Sequence, residues 1–271
     1  MPTGTLGGAG AMSAGGGQGG APMTAMGNGG TGGSMSGAAG MTGTAGSGTV
    51  TMPTGAKMPC MTKGSDLLMI GDSYIDAPVN LEPVLEGDAT KAMQLASGDH
   101  YINKAVAGTV ISQIQGQWMA NKSPVPKFVV MDGGGNDVLL DNPTCLLAMA
   151  GDATCMAVVD MANMTGHAIM TDMKASGVKG VVYFFYPHIP LGGAAMLDYS
   201  LPIAQKGCES LNDDTFTCVF VNTQPALDNH MEYYLDGIHP SAGGGPQALA
   251  DIVWKGMQSG CIGQESGCCT P

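Results

Sequence analysis

Four short segments carry the residue types of nucleophilic acyl transfer. They are Gly71-Asp72-Ser73-Tyr74, Ala107-Gly108-Thr109, Gly133-Gly134-Gly135-Asn136-Asp137 and Asp236-Gly237-Ile238-His239-Pro240. A serine hydroxyl is a poor nucleophile until an imidazole takes its proton, and that imidazole needs a carboxylate to fix its tautomer. Asp236 and His239 are three residues apart. One turn therefore lets the carboxylate meet Nδ1 while Nε2 faces Ser73. The tetrahedral intermediate of such a reaction also needs donors already aimed at its oxyanion. The backbone N–H groups of Ser73 and Gly108 and the side-chain amide of Asn136 would supply them, and a glycine at 108 lets the backbone approach with no Cβ in the way.

Each of these residues has a plainer reading: Ser73 as a polar turn residue, Asn136 as a turn cap, Gly108 as a strand-end glycine. What favours chemistry is that the first three segments each follow an apolar run, because open parallel sheets bind ligands outside the carboxyl ends of their strands. The runs Leu67–Ile70, Tyr101–Val106, Phe128–Met131, Val181–Tyr186 and Cys218–Val221 are short and, Asn103 and Lys104 apart, continuously apolar, as expected of strands covered on both faces. Helical stretches are expected near 80–96 and 112–120 and, most clearly, over Asp152–Ser176. The last of these opens on an acid and closes on Lys174 and Gly177. A final helix is expected from Pro246, with Leu249, Ile252, Val253 and Met257 on one face. Alternating strands and helices predict a three-layer α/β domain with a parallel sheet. Of the other histidines, His167 falls inside the long helix, and His100 and His230 have no partner pattern. His188, in Tyr186-Pro187-His188-Ile189-Pro190, follows the fourth strand and is expected near the same rim as a substrate contact. No His and carboxylate cluster has metal-ligand spacing.

At these places the sequence resembles the SGNH hydrolases, also called the GDSL esterase/lipase family. Gly71-Asp72-Ser73-Tyr74 matches the block with the nucleophile, Asn103-Lys104-Ala105-Val106-Ala107-Gly108 the block with the glycine donor, Gly134-Gly135-Asn136-Asp137 the G-x-N-D block, and Asp236-Gly237-Ile238-His239 the D-x-x-H block. The resemblance implies Ser73 as nucleophile, His239 as general base and Asp236 as its orienter. Ser73, Gly108 and Asn136 would form the oxyanion hole. It also implies a flavodoxin-like α/β/α sandwich with five parallel strands in the order 2-1-3-4-5. The expected activity is hydrolysis of carboxylic esters, with short-chain acyl groups or acetylated carbohydrate as substrate, through an acyl-enzyme and with neither metal nor organic cofactor. Alternatives are a lysophospholipase or thioesterase of the same family, or a non-catalytic domain that binds glycan or protein. Tyr74 stands where the family most often has Leu or Ile, and is expected to touch the acyl pocket.

The rest of the chain is unlike this region. Residues 1–56 hold 20 of the 44 glycines and no charged, histidine or aromatic side chain. With Leu6 and Val50 as their only branched aliphatics, they cannot bury enough apolar surface to offset ordering. They are expected to form a disordered tail or stalk ahead of a single domain over 57–271. The formal charge of −12, with every cation a Lys, argues against nucleic acid or an anionic membrane as partner. No run is long and apolar enough to span a bilayer, and a monomer is expected. Eight cysteines, with the equally spaced pairs Cys145/Cys155 and Cys208/Cys218, favour disulfides over a zinc site. A stalk ahead of a disulfide-rich domain suggests an extracellular, periplasmic or surface-tethered protein. Met1-Pro2-Thr3-Gly4 shows no export signal, so that reading expects the signal to lie upstream or to have been removed.

Overall fold

The apolar runs lie side by side as one parallel sheet in the computed structural model, which describes residues 58–263. The segment 1–56, Cys268 and Cys269 lie outside the described residues. In chain order the elements are β1 (Leu67–Ile70), α1 (Leu81–Lys91), β2 (Ile102–Asn103), α2 (Ile111–Asn121), β3 (Phe128–Met131), α3 (Gly135–Leu139), α4 (Ala153–Ser176), β4 (Gly180–Phe185), α5 (Ala194–Glu209), β5 (Thr217–Asn222), α6 (Gln224–Leu227) and α7 (Gly245–Ser259). The strands order as β2-β1-β3-β4-β5, all parallel, as the resemblance implies.

Successive side chains of a strand point to opposite faces, and here both faces are covered. Leu67, Met69, Phe128, Val130, Val182, Phe184, Val219 and Val221 pack with Leu81 and Leu85 of α1 and Leu249, Val253 and Met257 of α7. Leu68, Ile70, Val129, Met131, Val181, Tyr183 and Phe185 pack with Ile114 and Trp118 of α2, Ile169 and Met173 of α4, and Ala204 of α5. The result is the three-layer sandwich expected from continuously apolar strands.

Helix α4 begins where its acid predicts. Asp152 Oδ1 accepts hydrogen bonds from the N–H groups of Thr154 and Cys155, both at 3.0 Å, and Gly177 closes the other end. One expectation needs correction, and one helix has no counterpart among the expectations. The second strand is far shorter than 101–106 and covers Ile102–Asn103 alone: past it the Asn103 side chain accepts from Ala105 N–H at 3.0 Å in a local turn, while Lys104 N–H and Val106 N–H still reach Met69 C=O (2.8 Å) and Gly71 C=O (3.1 Å). Helix α5 goes unannounced in the sequence, since Pro202 sits inside it and few of its residues are buried. Both expected disulfides are formed. Cys145–Cys155 ties the 3-10 turn Pro143–Leu147 to the first turn of α4, and Cys208–Cys218 ties α5 to β5. Cys60 and Cys261 are disulfide-bonded as well.

Candidate active site

All four segments meet at the carboxyl edge of the sheet. Ser73 follows β1 directly and is buried; His239 arrives in the loop before α7, 166 residues further along. His239 Nε2 lies 2.7 Å from Ser73 Oγ, and His239 Nδ1 lies 2.6 Å from Asp236 Oδ2. The other Asp236 oxygen accepts from the backbone N–H groups of Ile238 (2.9 Å) and His239 (2.8 Å), so the acid folds its own loop around the imidazole. What burial Asp236 has would raise its pKa, but the hydrogen bonds from the His239 ring and from these two N–H groups outweigh it and hold the carboxyl at about 2. Tyr74 reaches across to the same loop. Its hydroxyl donates to the Ile238 carbonyl at 2.7 Å, and its ring meets Tyr186 edge-on at 5.0 Å.

The turn that carries Ser73 is held from several elements. Gln117 of α2 grips both polar groups of the Gly71 backbone: its Oε1 accepts from Gly71 N–H at 2.8 Å, and its Nε2 donates to Gly71 C=O at 2.9 Å. The same carbonyl accepts from Val106 N–H (3.1 Å) and from the Thr109 hydroxyl (3.0 Å), while Ala107 N–H donates to Asp76 (3.0 Å). These bonds bracket Gly108, at φ +78°, and draw its loop onto the nucleophile turn.

Beneath Ser73 lie two buried acids. Asp132 Oδ1 accepts from Asp72 N–H at 2.8 Å, and a Cβ on Gly71 would sit only 1.6 Å from that oxygen, so position 71 must be glycine. Asp72 accepts from Tyr74 N–H (3.1 Å), the Tyr186 hydroxyl (2.6 Å) and Asn136 Nδ2 (3.3 Å). Burial pushes the Asp132 carboxyl well above the usual range, and the neighbouring Asp72 charge pushes it further. Burial raises Asp72 too, but its hydrogen bonds from Tyr186 and from Tyr74 N–H oppose this and hold the rise down, so of the two acids Asp132 is the one pushed further towards its neutral form.

Asn136 stands in the first turn of α3, with its amide nitrogen 3.0 Å from the Thr109 carbonyl as well as near Asp72. Asp137 Oδ2 accepts from Ile111 N–H at the start of α2, at 2.9 Å. His188 is placed differently from the others. Asp228 takes its Nδ1 at 2.7 Å and Asp198 its Nε2 at 2.9 Å, so the ring clamps α5 to the end of α6, and its neighbour Ile189 lines the pocket beside Ser73 instead. Gln117 and Asp132 escape a reading of the sequence. The only local hint was an acid standing directly after the β3 run.

No protein-family model matches the sequence, and a search of curated proteins gives no significant match. Solved structures do match in fold. A substituted form of an acetyl xylan esterase from Geobacillus stearothermophilus superposes with a TM-score of 0.54 at 20% identity, covering 72% of this chain and 95% of that one. A carbohydrate esterase family 3 protein from Talaromyces cellulolyticus gives 0.53 at 15% identity, over 71% and 95% of the two chains. TesA gives 0.50 at 18% identity, over 71% and 97%. The chain has the fold of the SGNH hydrolases.

Proposed function

We propose that the protein is a serine esterase that hydrolyses carboxylic esters of short acyl groups through an acyl-enzyme. The observation that carries this reading is the relay from Ser73 Oγ to His239 Nε2 at 2.7 Å and from His239 Nδ1 to Asp236 at 2.6 Å. His239 takes the Ser73 proton as Oγ attacks the ester carbonyl. Asp236, ionised down to about pH 2, keeps Nδ1 as the donor and stabilises the imidazolium that forms. The oxyanion falls to the backbone N–H groups of Ser73 and Gly108 and to the Asn136 amide. The Asn136 N–H that now reaches Asp72 at the longer 3.3 Å is the one free to turn to the oxyanion. His239 then returns the proton to the leaving alcohol, and water attacks the acyl-enzyme under the same base.

Tyr74 serves this machinery by joining the nucleophile turn to the histidine loop through Ile238. The disulfides support an exported protein, with residues 1–56 as its stalk. The test is hydrolysis of p-nitrophenyl esters by the wild type and by Ser73→Ala. Activity in the wild type and its loss in a Ser73→Ala protein of unchanged melting temperature are expected; activity that survives the substitution would defeat the mechanism.

A further inference from the structure

Beside Ser73 an apolar pocket runs into the body of the domain. Besides Tyr183 and Phe185 of β4, its lining draws on three helices and one turn: Val159 and Ala162 of α4, Met196 of α5, Val138 of α3, and Leu146 of the turn 143–147. The side of α4 that faces it is fixed by spacing. Cys155, Val159 and Ala162 fall at i, i+4 and i+7, on one face. The disulfide from Cys155 to Cys145 then holds the turn that carries Leu146 against that face, and the Leu146 carbonyl accepts from Gly193 N–H at 2.8 Å, just ahead of α5. The outer wall is therefore tied to both helices.

The cavity measures about 60 Å³, room for roughly four to six water-sized groups. An acetyl group would place one methyl there and leave most of the apolar wall uncovered. The lining also includes a polar pair. Asn163 Nδ2 donates to Ser200 Oγ at 2.9 Å, and Ser200 Oγ donates to Asn163 Oδ1 at 3.3 Å, bridging α4 and α5. A long apolar chain would have to lie against this pair and separate it from water without replacing its hydrogen bonds.

We propose that this pocket receives the acyl chain of the ester, and that it selects linear chains of about four to six carbons over acetyl and over long chains. The proposal rests on the serine esterase reading and adds to it the class of acyl group. Burying one more methylene is worth about fourfold in kcat/KM, so butyryl should exceed acetyl by roughly fifteenfold.

The experiment is kcat/KM of the wild type for p-nitrophenyl acetate, butyrate, hexanoate and decanoate, repeated with Ala162→Leu and Met196→Ala. Butyrate and hexanoate should exceed acetate by tenfold or more, with decanoate below them. Ala162→Leu fills the pocket and should lower the hexanoate-to-acetate ratio about tenfold. Met196→Ala enlarges it and should move the optimum to longer chains. A wild type that prefers acetate, or ratios unchanged in both variants, would overturn the pocket assignment and leave the esterase reading standing. Failure to hydrolyse any of the esters would overturn both. Should Ala162→Leu not fold, the wild-type profile and Met196→Ala decide alone.

Discussion

Replacing Gln117 with Met keeps the length and bulk of the side chain but removes both of its hydrogen bonds to Gly71. The two losses are unequal. Gly71 C=O retains Val106 N–H and the Thr109 hydroxyl, so losing Gln117 there costs about 0.5–1 kcal/mol. Gly71 N–H is buried and surrenders the Gln117 acceptor, at about 1–3 kcal/mol. Together the substitution should destabilise the domain by about 1.5–4 kcal/mol. At about 2–4 °C per kcal/mol for a domain of this size, the melting temperature should drop by roughly 3–16 °C. The effect on rate is separate. Gly71 lies two residues before Ser73, and a displacement of about 1 Å at a reacting atom can cost about a hundredfold; a partial shift should lower kcat about tenfold. Gln117 does not line the pocket, so KM should stay within about twofold of wild type, since no substrate contact is removed. Thermal denaturation and steady-state hydrolysis of p-nitrophenyl butyrate at a temperature well below the transition check both parts. Wild-type kcat with a lowered melting temperature would confine Gln117 to stability; no change in either would refute the argument that its amide holds the nucleophile turn.

Asp236→Asn removes the charge that orients His239, and kcat should fall about 10²–10⁴-fold at pH 7; an activity within threefold of wild type would show that the loop backbone alone sets the tautomer. For Asp132 the sign follows from its raised pKa: the folded state holds a proton that the unfolded chain gives up near pH 4, so this residue's contribution to stability declines as pH rises above that value. Asp132→Asn keeps an acceptor for Asp72 N–H and removes the ionisation. It should melt at or above the wild-type temperature at pH 8 and show a flatter dependence between pH 4 and 8, whereas a lower melting temperature at both pH values would mean that the neutral acid is not what the site holds. A chain lacking residues 1–56 should hydrolyse p-nitrophenyl butyrate with wild-type kcat/KM, and a tenfold loss would assign the tail a part in the reaction.

The residues visible from the sequence share one property: their partners are close along the chain or their place is set by a strand end. Asp236 and His239 meet within a single turn, and Cys145 and Cys155 are separated by one loop. Ser73 and Asn136 take their position from the strands just before them. Gln117 and Asp132 lack that property. Gln117 acts 46 residues back along the chain, and Asp132 acts 60 residues back. A glutamine on a helix also looks like any solvated side chain until the helix is docked. Strand β2 is shorter than the sequence suggests for a related reason: composition at residues 101–106 is local, whereas the Asn103 side-chain bond to Ala105 N–H that interrupts the regular strand shows only in the folded chain. Helix α5 shows the reverse case, in which tertiary packing of Met196, Ala204 and Cys208 sustains a helix whose own sequence includes a proline.

The unequal exposure of the relay bears on where selectivity can arise. Ser73 is 6% exposed and lines a largely apolar pocket, whereas the Asp236 side chain is 46% exposed at the other end of the relay. On the proposed mechanism the acyl group lies on the buried side, where each methylene gains contact and every mismatch in length is felt. The leaving alcohol departs past His239 towards solvent, where water can stand in for missing contacts. Discrimination should therefore be steep in the acyl group and shallow in the alcohol. Likeness in fold to esterases of acetylated carbohydrate does not by itself carry over their acyl preference, because the groups that would set it here, Ala162, Met196 and the wall pinned by Cys145–Cys155, lie in helices and a turn outside the four sequence segments that carry the proposed chemistry.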